Sequence, residues 1–319
     1  MTDHAAGATL FVGLGRMGGP MARRYAATRP TYLYDADPDA APRLAGSLPA
    51  TALATLLPPP PEVDVVVLML PTSAIVESVL LGEGEGGLLD ALPAGALVLD
   101  MGSSVPASTR RLATVAAGRG IDLVDAPVSG GVSRAETGEL SIMVGGRREA
   151  VERARPHLEP LGTSIVTVGP AGAGHAAKAL NNLLSATNLA AAAEVLCVAQ
   201  RAGIEPEVML QVLNSSTGRS QATAVKYPQH VLTGTFGSGF ELDLMVKDLA
   251  IASGIAEEVQ AQAPVTRAAV ASANEARRHL DRAGRDHTEI VKYYEHLNQA
   301  LLRATATADG PTPTERTAP

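Results

Sequence analysis

Gly13, Gly15 and Gly18 form a G-x-G-x-x-G triplet between an apolar pentad, ATLFV at 8–12, and a helix-compatible run from Met17 to Ala27. This order of strand, glycines and helix constrains the chain more than any other feature. The first glycine permits a tight turn, the second lets the backbone approach a pyrophosphate, and the third lets the helix pack against the strand. The helix N-terminus then offers unpaired N–H groups and its dipole to an anion. An ordinary glycine turn is the plain alternative; the flanking strand and helix favour the dinucleotide reading. Thr31 to Tyr34 read as the next strand, ended by Asp35 at about 20 residues past the glycines. A carboxylate there accepts hydrogen bonds from adenosine ribose hydroxyls and repels a 2′-phosphate. Ala36, Asp37 and Pro38 follow without an arginine, so NAD is favoured over NADP, although Asp-x-Asp-Pro is also good turn chemistry.

Four prolines, Pro58 to Pro61, lead into VDVVVLML, a continuous apolar run of the kind found in parallel strands covered on both faces. ALVLDM (96–101) and IDLVDAP (121–127) repeat it, and the stretch between them reads as a helix stopped by Gly118 and Gly120. LSIMVGG (140–146) and SIVTVG (164–169) add two more strands. Strands alternating with helices predict an α/β fold, a Rossmann-like doubly wound domain. After Gly169 the texture changes. Residues 172–202 are rich in Ala and Leu and predict one helix of about 28 residues, long enough to run between domains. Helical periodicity continues over 205–214, 220–232, 241–258, 264–282 and 286–304. The expected organisation is a disordered N-terminus (1–7), an NAD-binding domain (8–170), an all-helical substrate and dimerisation domain (171–304) and a disordered tail (305–319).

Composition narrows the function. A chain of 319 residues fits two domains, and a net charge of −7 argues against nucleic acid as a partner. Cys197, the single cysteine, has no intramolecular disulfide partner, which suits a reducing cytoplasm. The seven histidines lack ligand spacing, so no metal site is expected. No targeting segment is visible, and no uninterrupted apolar stretch reaches the ~20 residues of a bilayer crossing, so no membrane partner is expected.

Lys178 and Asn182 share one helix face among Ala176, Ala177, Ala179, Leu180, Leu183 and Leu184. Burial and a second cation lower a lysine's pKa, and a lysine poised nearer neutrality accepts a hydroxyl proton. An amphipathic helix that snorkels its ammonium to water is the competing reading. At the end of a strand, Asp125, Ala126 and Pro127 precede Ser129, Gly130 and Gly131, a turn that exposes N–H groups and a hydroxyl suited to a carboxylate.

Four segments, in order, resemble the β-hydroxyacid dehydrogenases. They are GLGRMGGPMA (13–22), DAPVSGGVSRAETGELSIMVGG (125–146), GAGHAAKALNN (172–182) and GFELDLMVKDLAIA (239–252). The resemblance implies a Rossmann-like domain, a helical domain with the active site in a cleft, and a homodimer or homotetramer. It implies Lys178 as general acid/base and Asn182 as the group holding the reacting hydroxyl, with Asn181 the weaker candidate. Substrate contacts are implied for Ser129, Gly130, Gly131 and Lys247. Cofactor contacts are implied for Gly13, Leu14, Gly15, Arg16, Met17, Gly18, Asp35, Leu70, Pro71, Ser103 and Lys247, with Lys247 also depressing the pKa of Lys178. Arg134 either reaches a polar group of the substrate or lies on the surface; Phe240 forms an apolar wall; Asp286 or Thr288 caps the last helix; a role for His287 has no support. One departure is Gly102, where family members carry a serine.

The activity implied is NAD-dependent interconversion of a small 3-hydroxy acid and its semialdehyde, with 3-hydroxyisobutyrate leading. Tartronate or succinic semialdehyde reduction and threonate-type sugar-acid oxidation are the alternatives within the class. Imine reductases share the fold but usually lack the lysine. A non-catalytic NAD-binding scaffold is the alternative outside the class, opposed by the presence of Lys178, Asn182, Ser129 and Lys247 together.

Overall fold

The structure, a computed structural model, describes residues 7–82, 84 and 86–304; the expected disordered termini lie outside these, Gly7 excepted. The chain divides into two compact units, Met1–Leu183 with Lys247–Ala263, and Leu184–Val246 with Pro264–Pro319.

The first unit holds strands β1 (Ala8–Val12), β2 (Thr31–Tyr34), β3 (Ala50–Ala52), β4 (Val63–Leu68), β5 (Leu97–Asp100), β6 (Asp122–Asp125), β7 (Val128–Ser129), β8 (Leu140–Gly145) and β9 (Gly162–Gly169). Between them lie α1 (Gly18–Ala26), α2 (Ala40–Ala45), α3 (Ser73–Leu81), α4 (Leu88–Ala91), α5 (Pro106–Ala117), α6 (Gly131–Thr137) and α7 (Arg148–Leu158). The first six strands pair in parallel in the order β3-β2-β1-β4-β5-β6. This is the order of a dinucleotide-binding sheet, with its switch point beside β1. β8 runs antiparallel to β6 and β7 and parallel to β9.

The apolar runs are explained by burial on both faces. Phe11, Val65, Val67, Leu97, Leu99 and Val124 belong to one core, and Leu10, Val12, Val66, Leu68, Val98 and Leu123 to the other. Neighbours along a strand point to opposite faces, so a run without polar alternation marks a strand that meets no water on either side. The short β3 and β7 carry too few residues for a periodic signal, and sequence reading misses them.

The long helix, α8 (Ala173–Arg201), has 29 residues. It is also long and apolar enough, by length and composition, to cross a membrane, which corrects the expectation that no segment is. Lys178, Asn181, Asn182, Ser185 and Asn188 interrupt its apolar runs, so a reading based on uninterrupted stretches overlooks it. In the structure 44% of its most apolar window is buried against protein. Its first turns belong to the first unit and its remainder to the second.

After α9 (Pro206–Ser215), which lies in the second unit, comes α10 (Leu242–Glu258), most of which belongs to the first unit. The second unit adds α11 (Pro264–Leu280) and α12 (Ile290–Asn298). Residues Ala222–Val231, expected as an ordinary helix, form a π-helix instead. The last helix stops at Asn298 rather than at 304, because Gln299 takes a left-handed conformation (φ 50°). It also starts later than expected, at Ile290, after a 3-10 turn over His287–Glu289; Asp286 caps that turn, its carboxylate accepting from Thr288 N while Asp286 N donates to Glu289.

Candidate active site

Each glycine of the triplet has its own steric reason. Gly13 has φ 92°, and a Cβ there would lie 2.4 Å from Met69 O; a Cβ on Gly18 would lie 1.9 Å from Gly13 O. A Cβ on Gly15 would meet nothing within 4 Å. The protein's own packing therefore demands glycine at 13 and 18 but not at 15, where a bare backbone faces open space. That cradle fits a pyrophosphate laid against the head of α1. Leu14 is buried, Arg16 exposed and Met17 half-buried in the same turn.

Asp35 closes this loop from β2. Its Oδ2 accepts from Leu14 N at 2.5 Å and its Oδ1 from Asp37 N at 2.8 Å. A carboxylate has about four acceptor positions, so capacity remains for ribose hydroxyls. Arg43 reaches back to Asp37 at 3.0 Å, a cation that sequence reading, looking only at the next few residues, does not place here.

The ends of β4 and β5 meet α8 and α10 in one polar network. Lys247 Nζ donates to Pro71 O and to Ser103 O, both at 3.0 Å, and lies 3.5 Å from Asp248 Oδ1. Its ammonium thus ties together two strand-end loops. Asp248 is buried; its Oδ1 accepts from Ser103 Oγ at 2.9 Å and its Oδ2 from Asn182 Nδ2 at 2.6 Å. Lys178, one turn before Asn182, has no hydrogen-bond or ion-pair partner among the described residues. Burial, opposed by Asp248 and aided by the Lys247 cation, holds its ammonium below the usual lysine range. Lys178, Asn182, Lys247, Ser103 and Pro71 are therefore brought together. Leu70 is half-buried next to Pro71, and its carbonyl would sit 2.6 Å from a Cβ on Gly102. That contact is the physical reason this chain carries no side chain at 102.

Ser129 lies half-buried at the end of β7, paired with Ser141, and its hydroxyl makes no hydrogen bond among the described residues. Gly130 and Gly131 follow with φ 142° and 72°, and a Cβ on Gly131 would meet nothing within 4 Å. Arg134 is exposed and packs its aliphatic stem over Gly130. In the second unit, Phe240 is half-buried with its ring edge-on to His287 at 5.3 Å.

Sequence reasoning misses the buried acids that hold α8. Asp125 Oδ1 accepts from Gly172 N at 2.8 Å and Oδ2 from His175 N at 2.9 Å, capping the helix that carries Lys178. His175 is buried, with Nδ1 2.8 Å from Thr109 Oγ1 and Nε2 3.7 Å from Asp100 Oδ2. Asp100 in turn accepts from Gly102 N at 3.1 Å and Ser104 Oγ at 2.8 Å. The available signal was two strands that each end in aspartate, Asp100 opposite Asp125.

Known proteins resemble this chain in sequence and fold. Residues 9–169 match the family model for the NAD binding domain of 6-phosphogluconate dehydrogenase, and residues 172–294 that for NAD-binding of NADP-dependent 3-hydroxyisobutyrate dehydrogenase. The chain is 38% identical to 2-(hydroxymethyl)glutarate dehydrogenase of Eubacterium barkeri, over 90% of this chain and 94% of that one. It is 38% identical to 3-hydroxyisobutyrate dehydrogenase of Pseudomonas aeruginosa over 83% of this chain and 89% of that one. Among solved structures, Mycobacterium tuberculosis 3-hydroxyisobutyrate dehydrogenase with L-serine superposes with a TM-score of 0.78 at 31% identity, covering 90% of this chain and 98% of that one. By these family models and relatives, the chain belongs to the β-hydroxyacid dehydrogenases, nicotinamide-dependent oxidoreductases of hydroxy acids.

Proposed function

We propose that the protein oxidises the primary alcohol of a small 3-hydroxy acid to its semialdehyde, with NAD as cofactor and Lys178 as the general acid/base. The observation that carries this is the Lys178 ammonium, without a hydrogen-bond or ion-pair partner among the described residues and held below its ordinary range beside the Asn182–Asp248–Ser103 network. The substrates in the relatives' names, 2-(hydroxymethyl)glutarate, 3-hydroxyisobutyrate and L-serine, share one skeleton. Each is a hydroxymethyl group and a carboxylate on one carbon, with only the third substituent differing. A 3-hydroxyisobutyrate-like acid is the substrate proposed.

The cofactor would be held by Gly13 to Gly18, Asp35, Leu70, Pro71, Ser103 and Lys247; when bound it supplies the hydride acceptor. The Asp35 carboxylate supports NAD rather than NADP. Ser129, Gly130 and Gly131 receive the substrate carboxylate with convergent donors. Asn182 has one amide N–H committed to Asp248 and keeps the other for the reacting hydroxyl. In its neutral form Lys178 takes the hydroxyl proton at Nζ as the carbonyl forms, and it returns that proton in the reverse direction. Asp248 holds Asn182 and Ser103, so the amide is oriented before substrate arrives.

Large apolar side chains exposed along α8, among them Leu184 and Val198, support a homodimer or homotetramer. The single buried Cys197 supports a cytoplasmic setting.

Initial rates on a panel of short 3-hydroxy acids, with NAD⁺ and NADP⁺, test the proposal on wild type and Lys178→Ala. The variant is expected to bind NADH unchanged and to lose turnover by about 10³-fold. Near wild-type turnover in that variant removes the lysine mechanism. NADH binding without turnover of any acid by the wild type leaves an NAD-binding scaffold.

A further inference from the structure

His175 precedes Lys178 by three residues and Asn182 by seven, so the three share one stripe of α8. Asn182 is tied by its side chain to Asp248, and Asp248 to Ser103. Ser103 stands between Gly102 and Ser104, whose backbone N–H and hydroxyl respectively donate to the Asp100 carboxylate. Asp100 in turn faces the His175 ring, 3.7 Å from Nε2. A path that leaves α8 at Asn182 therefore returns to it at His175, about two turns earlier, with Lys178 between the two attachments. Every residue on this path belongs to the first unit.

The ring of His175 is buried. Its Nδ1 lies 2.8 Å from Thr109 Oγ1, a hydroxyl that also lies 3.3 Å from Val105 O. Donation over the shorter contact aims the Thr109 proton at Nδ1, which leaves the ring's own proton on Nε2. The other tautomer would press an Nε2 lone pair against the Asp100 carboxylate. Nε2 has no hydrogen-bond partner among the described residues, so the Asp100 oxygen, just beyond hydrogen-bond length, is the acceptor it faces. An apolar side chain would fill this space without the cost of a buried, poorly paired N–H. The polar ring therefore points to a role beyond packing.

The contacts at the head of α8 divide the work. The Asp125 carboxylate holds Gly172 N and His175 N, which fixes the end of the helix along its axis. The His175 ring stands off that axis, so it resists rotation about it. Rotation is the motion that would swing Lys178 and Asn182 away from Asp248 together. A displacement of about 1 Å at a reacting group can cost on the order of 10²-fold in rate, so a small turn of α8 matters.

We propose that His175 is a positioning residue for the reaction: through Asp100 it sets the rotation of α8 against the 102–104 loop, so that Lys178 and Asn182 stand opposite Ser103 and Asp248. This rests on the proposed function, because it assumes that Lys178 takes the substrate proton. His175 itself acts only through Asp100 and the helix that carries the lysine.

The test separates the two edges of the ring. His175→Gln carries an amide to the Nε2 side, whereas His175→Asn reaches only the Nδ1 side. Both are assayed for kcat, KM and the pH dependence of kcat/KM on the acid that wild type oxidises best, with NADH affinity as the control for folding. In His175→Asn, kcat is expected to fall about 30-fold with the NAD⁺ KM within about twofold. The rising limb is expected to move to higher pH as Lys178 leaves the burial that holds it low. His175→Gln is expected to keep kcat within about threefold of wild type and the limb unmoved. A merely structural ring would give variants that unfold at lower urea but share the wild-type kcat and limb. That result, or equal losses in the two variants, overturns the proposal. Should His175→Asn fail to bind NADH, Ser104→Ala, which loosens the loop from Asp100, takes its place: a lowered kcat supports the proposal and an unchanged one overturns it. If the wild type oxidises no acid of the panel, the proposed function fails first, and a signal that needs no turnover decides this residue. Lysine labelled with ¹³C at Cε reports the protonation of the four lysines, and Lys178→Ala assigns the Lys178 signal. In the NADH complex Lys178 is expected to titrate higher in His175→Asn than in wild type, and unchanged in His175→Gln. Identical titration in all three overturns the proposal.

Discussion

Asp35 and Asp125 both stand where a parallel strand reaches its carboxyl edge, yet they serve opposite purposes. Asp35 is half-buried, bonds the glycine loop through one oxygen and keeps acceptor capacity toward open space. Asp125 is fully buried, and its two oxygens are committed to Gly172 N and His175 N at the head of α8. The nucleotide side of the sheet thus binds with bare backbone and a partly free acid. The β5–β6 side instead uses interior acids to hold the helix from which Lys178 projects. The same residue at the same kind of position faces a ligand in one case and a helix in the other, and burial decides which.

The sharpest way to break this comparison is to truncate the buried acid. Asp125→Ala leaves two buried N–H groups without acceptors and removes a charge from the α8 N-terminus. At about 1.5–3 kcal/mol for each charge-assisted bond, the expected loss is about 3–5 kcal/mol of stability, read by urea unfolding at pH 7. Asp35→Ala in the same assay is expected to lose about 1 kcal/mol or less. Equal losses would erase the distinction between a positioning acid and a ligand-facing one.

A smaller effect sharpens the lysine side. Lys247 helps burial hold Lys178 below its usual range, while Asp248 acts against both. Lys247→Met removes that cation and leaves Asp248 less neutralised, and both changes raise the Lys178 pKa. Oxidation needs the neutral amine, so its rate rises with pH through that pKa. The rising limb of kcat/KM is therefore expected to move to higher pH, with a loss of about tenfold at pH 7 that shrinks as pH increases. Loosening the Pro71 and Ser103 loops alone would lower the profile without shifting it. An unshifted limb would assign Lys247 to loop clamping only.

The contrast between the two sides also explains what the sequence disclosed. Gly13, Gly15, Gly18 and Asp35 are legible because a backbone-built site needs particular residues at fixed short spacing, and the apolar strand runs supply the context. The pairing of Lys178 with Asn182 is legible by helical spacing, although its role came through family likeness. The contacts Asp248–Asn182, Ser103–Asp248 and Asp125–Gly172 join residues 66, 145 and 47 positions apart. No local pattern records such distances. Lys226 leaves no local signal for a related reason: its hydrogen-bond partner Ser185 is 41 residues away. The glycine at 102 looked like a lost hydroxyl in sequence, and only the nearby Leu70 carbonyl explains it.

The smallest effect concerns cofactor choice. In Asp35→Ala the ribose loses a charge-assisted acceptor, worth about 1.5 kcal/mol, so kcat/KM with NAD⁺ is expected to fall about tenfold. The same change removes the repulsion that a 2′-phosphate meets. Arg43 is already within 3.0 Å of Asp37, and that ion pair is exposed on both sides, so the guanidinium can turn toward a phosphate at little cost. The value with NADP⁺ is therefore expected to hold or rise, narrowing the preference from both directions. Parallel losses with the two cofactors would mean that Asp35 acts by shaping the glycine loop through Leu14 N and not by touching the ribose.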